Sequence, residues 1–343
     1  DKLQYVFMND CFSVVDYYKV RGKAVEDFSK DADLKTFGAA KMVYKIARYL
    51  EEYMKVQGLR DYTDQVLDAS YFFEAEPSFM PKFDYVLVDE YQDVNESQIK
   101  LIDILGAKNI FCVGDPRQSI FGWRGSNIEY IKNFSKKYAD AATIILKKNY
   151  RSSNHIVGLM NSSIKEMELP DVMANFESDN EIYLKNFSSL SEEIDYVAKK
   201  ILESEVERKE IFVLARTNRI LNEISTYFGR VGIAHVLKTD EVRKPVEAKE
   251  DEIILATIHS IKGLEAEKVF VVGCNEGNFP CKASDHPVLE MIKMDDYDKL
   301  DEEKRLFYVA ISRAKKKLHL TYNGKKQTSF ITEEMESLLN KIE

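Results

Sequence analysis

The chain has 343 residues, 45% of them hydrophobic, enough for two domains of ordinary size with packed cores. Its formal net charge of −9 and pI near 5.4 argue against a nucleic-acid binder that works by bulk positive charge. No apolar run approaches about 18 residues, so no membrane-spanning helix is expected. Cys11, Cys112, Cys274 and Cys281 form no C-x-x-C pair and have no histidine at metal-ligand spacing, which points to a reducing, intracellular compartment rather than a zinc site.

In chain order, residues 1–80 read as helical. Met42, Val43, Ile46, Leu50 and Met54 recur at helical spacing with few breakers between them. YVLVDE (85–90) is a continuous apolar run ending in acids, the signature of a strand buried on both faces of a parallel sheet. A helix over 95–105 and strands over 109–115 and 143–149 follow. The pattern then restarts, with strands at 181–187, 210–217, 233–237, 251–260, 268–274 and 318–322, and helices at 191–204, 218–229 and 301–314. Strands alternating with helices imply two successive α/β sheets, with the boundary near Tyr150 to Pro170. Basic residues cluster at Lys132, Lys136, Lys137, Lys147, Lys148 and Arg151, and again at Arg313 and Lys315 to Lys317. Such a local track on an acidic body can hold a nucleic-acid strand, although many of these charges are expected to be ordinary solvated faces.

Two segments carry chemistry. In VLVDEYQD (86–93), Asp89 and Glu90 project from the carboxyl end of a strand, where open α/β sheets place their ligands. There one carboxylate can hold Mg²⁺ and the next can activate water. FCVGDPRQSIFGWRGS (111–126) runs from a strand into a loop that offers the amide of Gln118 and the chain's single tryptophan, Trp123, beside Arg124. An aromatic ring in a glycine-bearing loop suits base stacking, while packing beneath its own loop is the plainer reading.

VDEYQD and VGDPRQSIFGWRGS are followed by LKKNYRSS (146–153), ATIHSIKGLEAEKVFVVG (256–273) and EEKRLFYVAISRAKKKL (302–318). In order and spacing these resemble motifs II to VI of the UvrD/PcrA/Rep-type superfamily 1 DNA helicases, and the resemblance covers the chain from about Asp61 onward. It implies two RecA-like, P-loop-NTPase-type parallel-sheet domains, residues 81–149 and 150–343, preceded by a helical remnant over 1–80. ATP and Mg²⁺ are the implied cofactors. Single-stranded DNA, or a single/double-strand junction, is the implied partner, with 3′–5′ movement. Asp89 matches the Mg²⁺ ligand, Glu90 the general base and Gln118 the γ-phosphate sensor. Arg151 and Arg313 match the arginines that reach the γ-phosphate, and Tyr150 matches the adenine-stacking ring. Gly263 and Glu265 resemble the turn near the nucleotide sugar. Phe121, Trp123, Arg124, Thr257 and His259 resemble strand contacts. Arg305 reads as a structural ion-pair partner.

One departure is large. The phosphate-binding pattern G-x-x-x-x-G-K-[ST] does not occur; Arg21-Gly22-Lys23-Ala24 lacks the earlier glycine, the hydroxyl residue and a preceding buried strand. In the family this segment lies well over a hundred residues ahead of motif II, and only 88 residues precede Asp89. The first domain is therefore expected to be N-terminally incomplete, with another stretch of polypeptide or a separate chain supplying the P-loop. The accessory domains are expected to be minimal or absent, the second reduced to the 238–251 loop. Two other readings stay open: a non-catalytic nucleic-acid- or partner-binding module, and one subunit of a split helicase.

Overall fold

A computed structural model describes residues 2–28, 37–239, 248–281 and 298–342. The chain divides into two compact units that part between Ala142 and Thr143, the second resuming at Lys299. Most of the 238–251 loop lies outside the described residues. None of the described helices is long and apolar enough to cross a membrane.

The first unit begins with α1 (Lys2–Val20), α2 (Phe37–Val56) and α3 (Tyr62–Ala75). Val14, Val15 and Tyr18 of α1 pack with Val43 and Ala47 of α2 around Phe28. α3 is started by a capping box in which Asp61 accepts from the Asp64 N–H and Asp64 accepts from that of Asp61. Lys19 reaches from α1 to both carboxylates at 2.8 Å, tying the helices together. β1 (Tyr85–Val88) and β2 (Asn109–Cys112) form a parallel pair, connected through α4 (Glu96–Leu105). Asn95 and Gln98 make the capping box of α4, and Gly106 ends it with φ +56°.

The sheet of the first unit differs from the sequence reading. Val88, Ile110 and Cys112 pack against Tyr91, Ile99 and Ile102 on one side. Tyr85, Leu87 and Phe111 alternate onto the other side and are 67%, 72% and 58% exposed. The apolar runs are those of strands covered on both faces, but among the described residues only one face is covered. The expected strand over 143–149 is also shorter. Only β3 (Lys148–Asn149) is extended and paired, with β4 (Met173–Ala174), and both strands belong to the second unit. Ile144, Ile145 and Leu146 are exposed. A β-branched run becomes a strand only where a neighbour offers a ladder. Beyond these lie the one-turn helices α5 (Glu129–Lys132) and α6 (Phe134–Lys137).

The second unit holds α7 (Asn154–Ser163), β5 (Ile182–Phe187), α8 (Leu190–Leu202), β6 (Ile211–Ala215), α9 (Asn218–Val231), β7 (His235–Lys238), β8 (Ile253–Thr257), β9 (Ala266–Val272), α10 (Lys299–Ile311), β10 (Ala314–Asn323), α11 (Glu333–Leu338) and β11 (Asn340–Lys341). Seven of its described strands form one parallel sheet, in the order β11-β5-β10-β9-β6-β8-β7. Right-handed crossovers put α8 and α9, whose connections step one way across the sheet, on one face, and α10, whose connection steps back, on the other. On the first face Ile194, Val197, Ile201, Ile220, Ile224 and Phe228 pack onto Ile211, Val213, Leu255 and Phe270. β6 and β8 are buried at every position, so here the unbroken apolar runs of the sequence do mean two covered faces. His319 lies between the rings of Tyr183 and Phe270, centroids 4.9 and 4.7 Å away. Burial, with Lys268, Lys200 and Lys317 nearby, pushes its pKa down to about 3, so the ring is a neutral member of the packing.

Candidate functional site

The first unit gathers the carboxylates and the motif III loop. Asp89 and Glu90 follow directly on β1 and are exposed. The Glu90 N–H donates to Asp89 Oδ1 at 2.8 Å, which turns the two side chains out of the strand end. Glu90 is left-handed (φ +49°, ψ +41°), a conformation that costs a non-glycine residue about 1 kcal/mol or more. The Tyr91–Asp93 turn is then laced to the 114–126 loop. Tyr91 N–H donates to the Val113 carbonyl at 2.9 Å, the Ser119 hydroxyl to the Gln92 carbonyl at 3.0 Å, and the Ser126 hydroxyl to the Asp93 carbonyl at 2.8 Å. Gln118 closes a short 3-10 turn by donating from Nε2 to Asp115 Oδ2 at 3.1 Å. The same turn places Arg117 3.3 Å from Asp115.

Phe121, Trp123 and Arg124 form one cluster. The Arg124 guanidinium lies 4.5 Å from the centroid of the Trp123 ring system and 5.3 Å from that of Phe121. Trp123 is half-buried and Arg124 exposed. The loop is pinned at Gly125 (φ +92°), where a Cβ would lie 2.5 Å from Val20 at the end of α1. The sequence offers base stacking for the Trp123 ring, with packing beneath its own loop as the alternative; here a planar cation covers part of the ring.

The second unit gathers the other candidates. Tyr150 is 69% exposed, with the Lys148 ammonium 5.1 Å from its ring centre. Arg151 donates from Nε to Glu265 and from Nη1 to the Ser312 carbonyl at 3.3 Å. Lys315 stands 3.6 Å from the same Glu265 and 3.1 Å from Glu210. Partial burial would raise the Glu265 pKa, but the hydrogen bond and charge of Arg151, with Lys315, hold it below the usual carboxylate range. Gly263 takes φ +85° in the turn that leads to Glu265, with open space where a side chain would be.

Arg313 is 1% exposed and donates to three oxygens, the Val309 and Leu264 carbonyls at 3.0 and 3.2 Å and the Ser312 hydroxyl at 2.8 Å. Thr257, expected at a strand contact, is 3% exposed, and its hydroxyl donates to Ser260 Oγ at 2.9 Å. His259 is half-buried in the turn after β8. Lys315, Lys316 and Lys317 each face a carboxylate, with Lys316–Glu267 at 2.7 Å and Lys317–Glu181 at 2.8 Å. That run is thus an ion-paired surface more than a basic track.

The structure therefore brings Asp89, Glu90, Gln118, Phe121, Trp123 and Arg124 into one unit, and Tyr150, Arg151, Thr257, His259, Gly263, Glu265 and Arg313 into the other. Sequence reasoning missed Gln92 and the buried pair Arg216–Glu303, and it read Lys315 as part of a basic track rather than as a partner of Glu265. Gln92 lay in plain view inside VDEYQD, an amide set among Asp89, Glu90 and Asp93, and that placement was the available signal.

A nucleotide-borne Mg²⁺ suits the carboxylates present. Among the described residues no cluster of three or more His, Cys, Asp or Glu could form a dedicated metal cage. Mg²⁺ usually takes one or two carboxylates and completes its shell with phosphates and water. Asp89 uses Oδ1 internally and, among the described residues, nothing donates to its Oδ2.

Family comparisons agree with these two groupings. Residues 12–139 match the UvrD/REP helicase N-terminal domain, and residues 144–242 and 235–325 match the UvrD-like helicase C-terminal domain. A probable DNA helicase II homolog of Mycoplasma capricolum is 41% identical over 144 residues, covering 40% of this chain and 20% of that protein. ATP-dependent DNA helicase PcrA of Staphylococcus epidermidis is 33% identical over 216 residues, 59% of this chain and 29% of PcrA. A probable DNA helicase of Mycoplasma pneumoniae is 29% identical over 289 residues, 80% of this chain and 50% of that protein. The matched region thus spans half or less of each of these relatives. With family models covering most of its length, the chain belongs to the UvrD/PcrA/Rep-type superfamily 1 helicases.

Proposed function

We propose that this chain is the greater part of the motor of an ATP-dependent DNA helicase that couples hydrolysis to movement on single-stranded DNA or at a single/double-strand junction, in the 3′–5′ sense its resemblance implies. The observation that carries this reading is the continuous hydrogen-bonded path from Glu90 through Gln92 to the loop of Gln118 and Trp123. A residue that reacts to nucleotide and a ring that touches a base are most useful when one rigid segment joins them. In this reading Glu90 accepts the proton of the attacking water, Gln118 senses the γ-phosphate, and Tyr150, Gly263 and Glu265 hold the nucleoside. Arg151 and Arg313 steady the charge that builds on the phosphates. Bound with the nucleotide and Asp89, Mg²⁺ would neutralise phosphate charge.

The phosphate-binding segment comes from outside these 343 residues, as a further stretch of the same polypeptide or a separate chain. The apolar side of the first sheet that stays exposed among the described residues, Tyr85, Leu87 and Phe111, is where it would pack. The chain alone should accordingly show no appreciable DNA-stimulated ATPase, because it offers no P-loop lysine or amide nest for the β- and γ-phosphates. Adding the missing segment should restore it. Stimulated turnover by the chain alone that vanishes in Glu90→Gln would overturn the dependence on a second segment. No turnover even with that segment would favour a non-catalytic binding module.

Strand contact is tested separately through Trp123. As the chain's single tryptophan, its emission reports one loop. Single-stranded DNA should quench it at low salt, and duplex of equal charge should do so much less, because duplex bases offer no free face. Trp123→Ala should weaken strand binding by about 1–3 kcal/mol, the worth of one stacked base. Unchanged emission alongside binding confirmed by anisotropy of a labelled oligonucleotide would mean the ring serves only Arg124 and its own loop.

A further inference from the structure

Gln92 is 1% exposed, unusual for a side chain with both donors and an acceptor to satisfy. Both ends of its amide are used, and in different directions. Nε2 donates to Glu90 Oε2 at 2.5 Å, with Asp93 Oδ2 3.4 Å away. Oε1 accepts the Asp115 N–H at 2.9 Å. The Gln92 carbonyl meanwhile accepts the Ser119 hydroxyl at 3.0 Å. The fit depends on Gly114, where a Cβ would stand 2.6 Å from Gln92 Oε1 and 3.1 Å from Gln92 N. Glu90 itself is left-handed, so its own backbone preference does not keep it in place.

We propose that Gln92 is a positioning residue that aims the Glu90 carboxylate and ties that aim to the 114–119 turn carrying Gln118. The inference rests on Glu90 being the base for nucleotide hydrolysis. A donor fixed on Oε2 sets the rotation of the carboxylate, and so the direction in which Oε1 presents its lone pairs to water. The amide works in one orientation only, since its N–H₂ must meet the carboxylate and its oxygen must meet the Asp115 N–H. A shift of the 115–118 turn therefore pulls on Oε1 of Gln92 and is felt at Oε2 of Glu90. The link is mechanical and needs no titration or charge movement. Gln92 touches no phosphate in this account, so nucleotide affinity does not depend on it.

The test uses the complete helicase polypeptide that carries this chain and compares wild type, Gln92→Met, Glu90→Gln and the double variant by single-turnover ATP hydrolysis. Rates are expressed per nucleotide site counted by titration with a fluorescent ADP, which removes any loss of folded enzyme. Gln92→Met keeps the length and shape of the side chain and deletes both polar ends. It should lower the hydrolysis rate roughly 10- to 100-fold, the scale of a misaimed reacting group, with KM for ATP and ADP affinity within about 3-fold of wild type. In the double variant Gln92→Met should cost nothing beyond Glu90→Gln, since a group that acts through Glu90 has nothing left to aim. A purely structural role would add its loss to the double variant as well. Should Gln92→Met fail to fold, Gln92→Glu keeps the acceptor for Asp115 and alters only the end facing Glu90, and the same comparison is made with it. Normal hydrolysis per site in the Gln92 variant, or a further loss in the double, overturns the inference. Normal hydrolysis in Glu90→Gln instead sinks the functional reading beneath it.

Discussion

Replacing Arg313 with Ala in the complete helicase will lower kcat by about 10³ or more, while binding of single-stranded DNA without nucleotide hardly changes. The magnitude follows from what a planar, permanently charged fork does when charge spreads over a transferring phosphoryl group, a role an ammonium fills poorly. The structure adds a second expectation. Arg313 is held by Val309 O, Leu264 O and Ser312 Oγ and is almost fully buried, so the alanine variant also strips donors from three acceptors and leaves a void. A lower melting temperature should accompany the lost turnover, and kcat must be read well below it. Arg151 separates the two effects. Its side chain is 31% exposed and its partner is the half-exposed Glu265, so Arg151→Ala should lose turnover with little loss of stability. An Arg313→Ala protein that hydrolyses ATP normally but no longer holds DNA would reverse the assignment of this residue from phosphate to strand.

The two units were unequally legible in the sequence, for a physical reason. In the second unit β6, β8 and β9 are apolar runs buried at all or nearly all positions, so run length alone located them, while β5 and β10 were found from mixed patterns that are buried only in part. In the first, YVLV and NIFC carry the pattern of a doubly covered sheet but have one covered face among the described residues, and the pattern could not say which. TIIL, equally apolar, is not a strand at all, because extended backbone needs a partner that lies elsewhere in the chain. α7 was overlooked because its buried residues, Ile156, Val157, Leu159 and Met160, are four in a short stretch behind a polar lead.

The motifs fixed which residues to consider, yet their environments were not readable. Nothing local distinguishes Thr257, whose hydroxyl is spent on Ser260, from a threonine that faces a ligand. Nor does anything local mark Arg313 as buried and Arg124 as exposed. Burial of a charge is decided by acceptors far away in sequence. Glu193 shows this too: its carboxylate receives the Gly273 N–H at 2.8 Å, the Thr321 hydroxyl at 2.7 Å and the Asn323 amide at 2.5 Å, from elements 80 to 130 residues distant.

The helix that leads to Arg313 carries Arg305, which the sequence reads as a structural ion-pair partner, and a buried ion pair forms two residues earlier, at Glu303. From α10 its carboxylate receives Arg216 Nε at 3.0 and 3.1 Å and Nη2 at 2.6 Å, with both side chains about 5% exposed. Oε2 also accepts the Cys281 N–H at 3.2 Å, so the pair ties the end of β6, the start of α10 and the chain after β9 to one another. Glu303→Ala leaves a guanidinium buried without its counter-ion, and a broken buried pair costs about 3–5 kcal/mol. For a unit of this size that is a fall of roughly 6–20 °C in melting temperature by calorimetry. Replacing both partners together, as Arg216→Met with Glu303→Leu, should recover much of the loss, because neither charge then remains to be solvated. Turnover should not recover with it, if the pair also fixes the angle at which α10 delivers Ser312 and Arg313. A melting temperature within about 2 °C of wild type in Glu303→Ala would mean that water reaches Arg216 and that the pair contributes little.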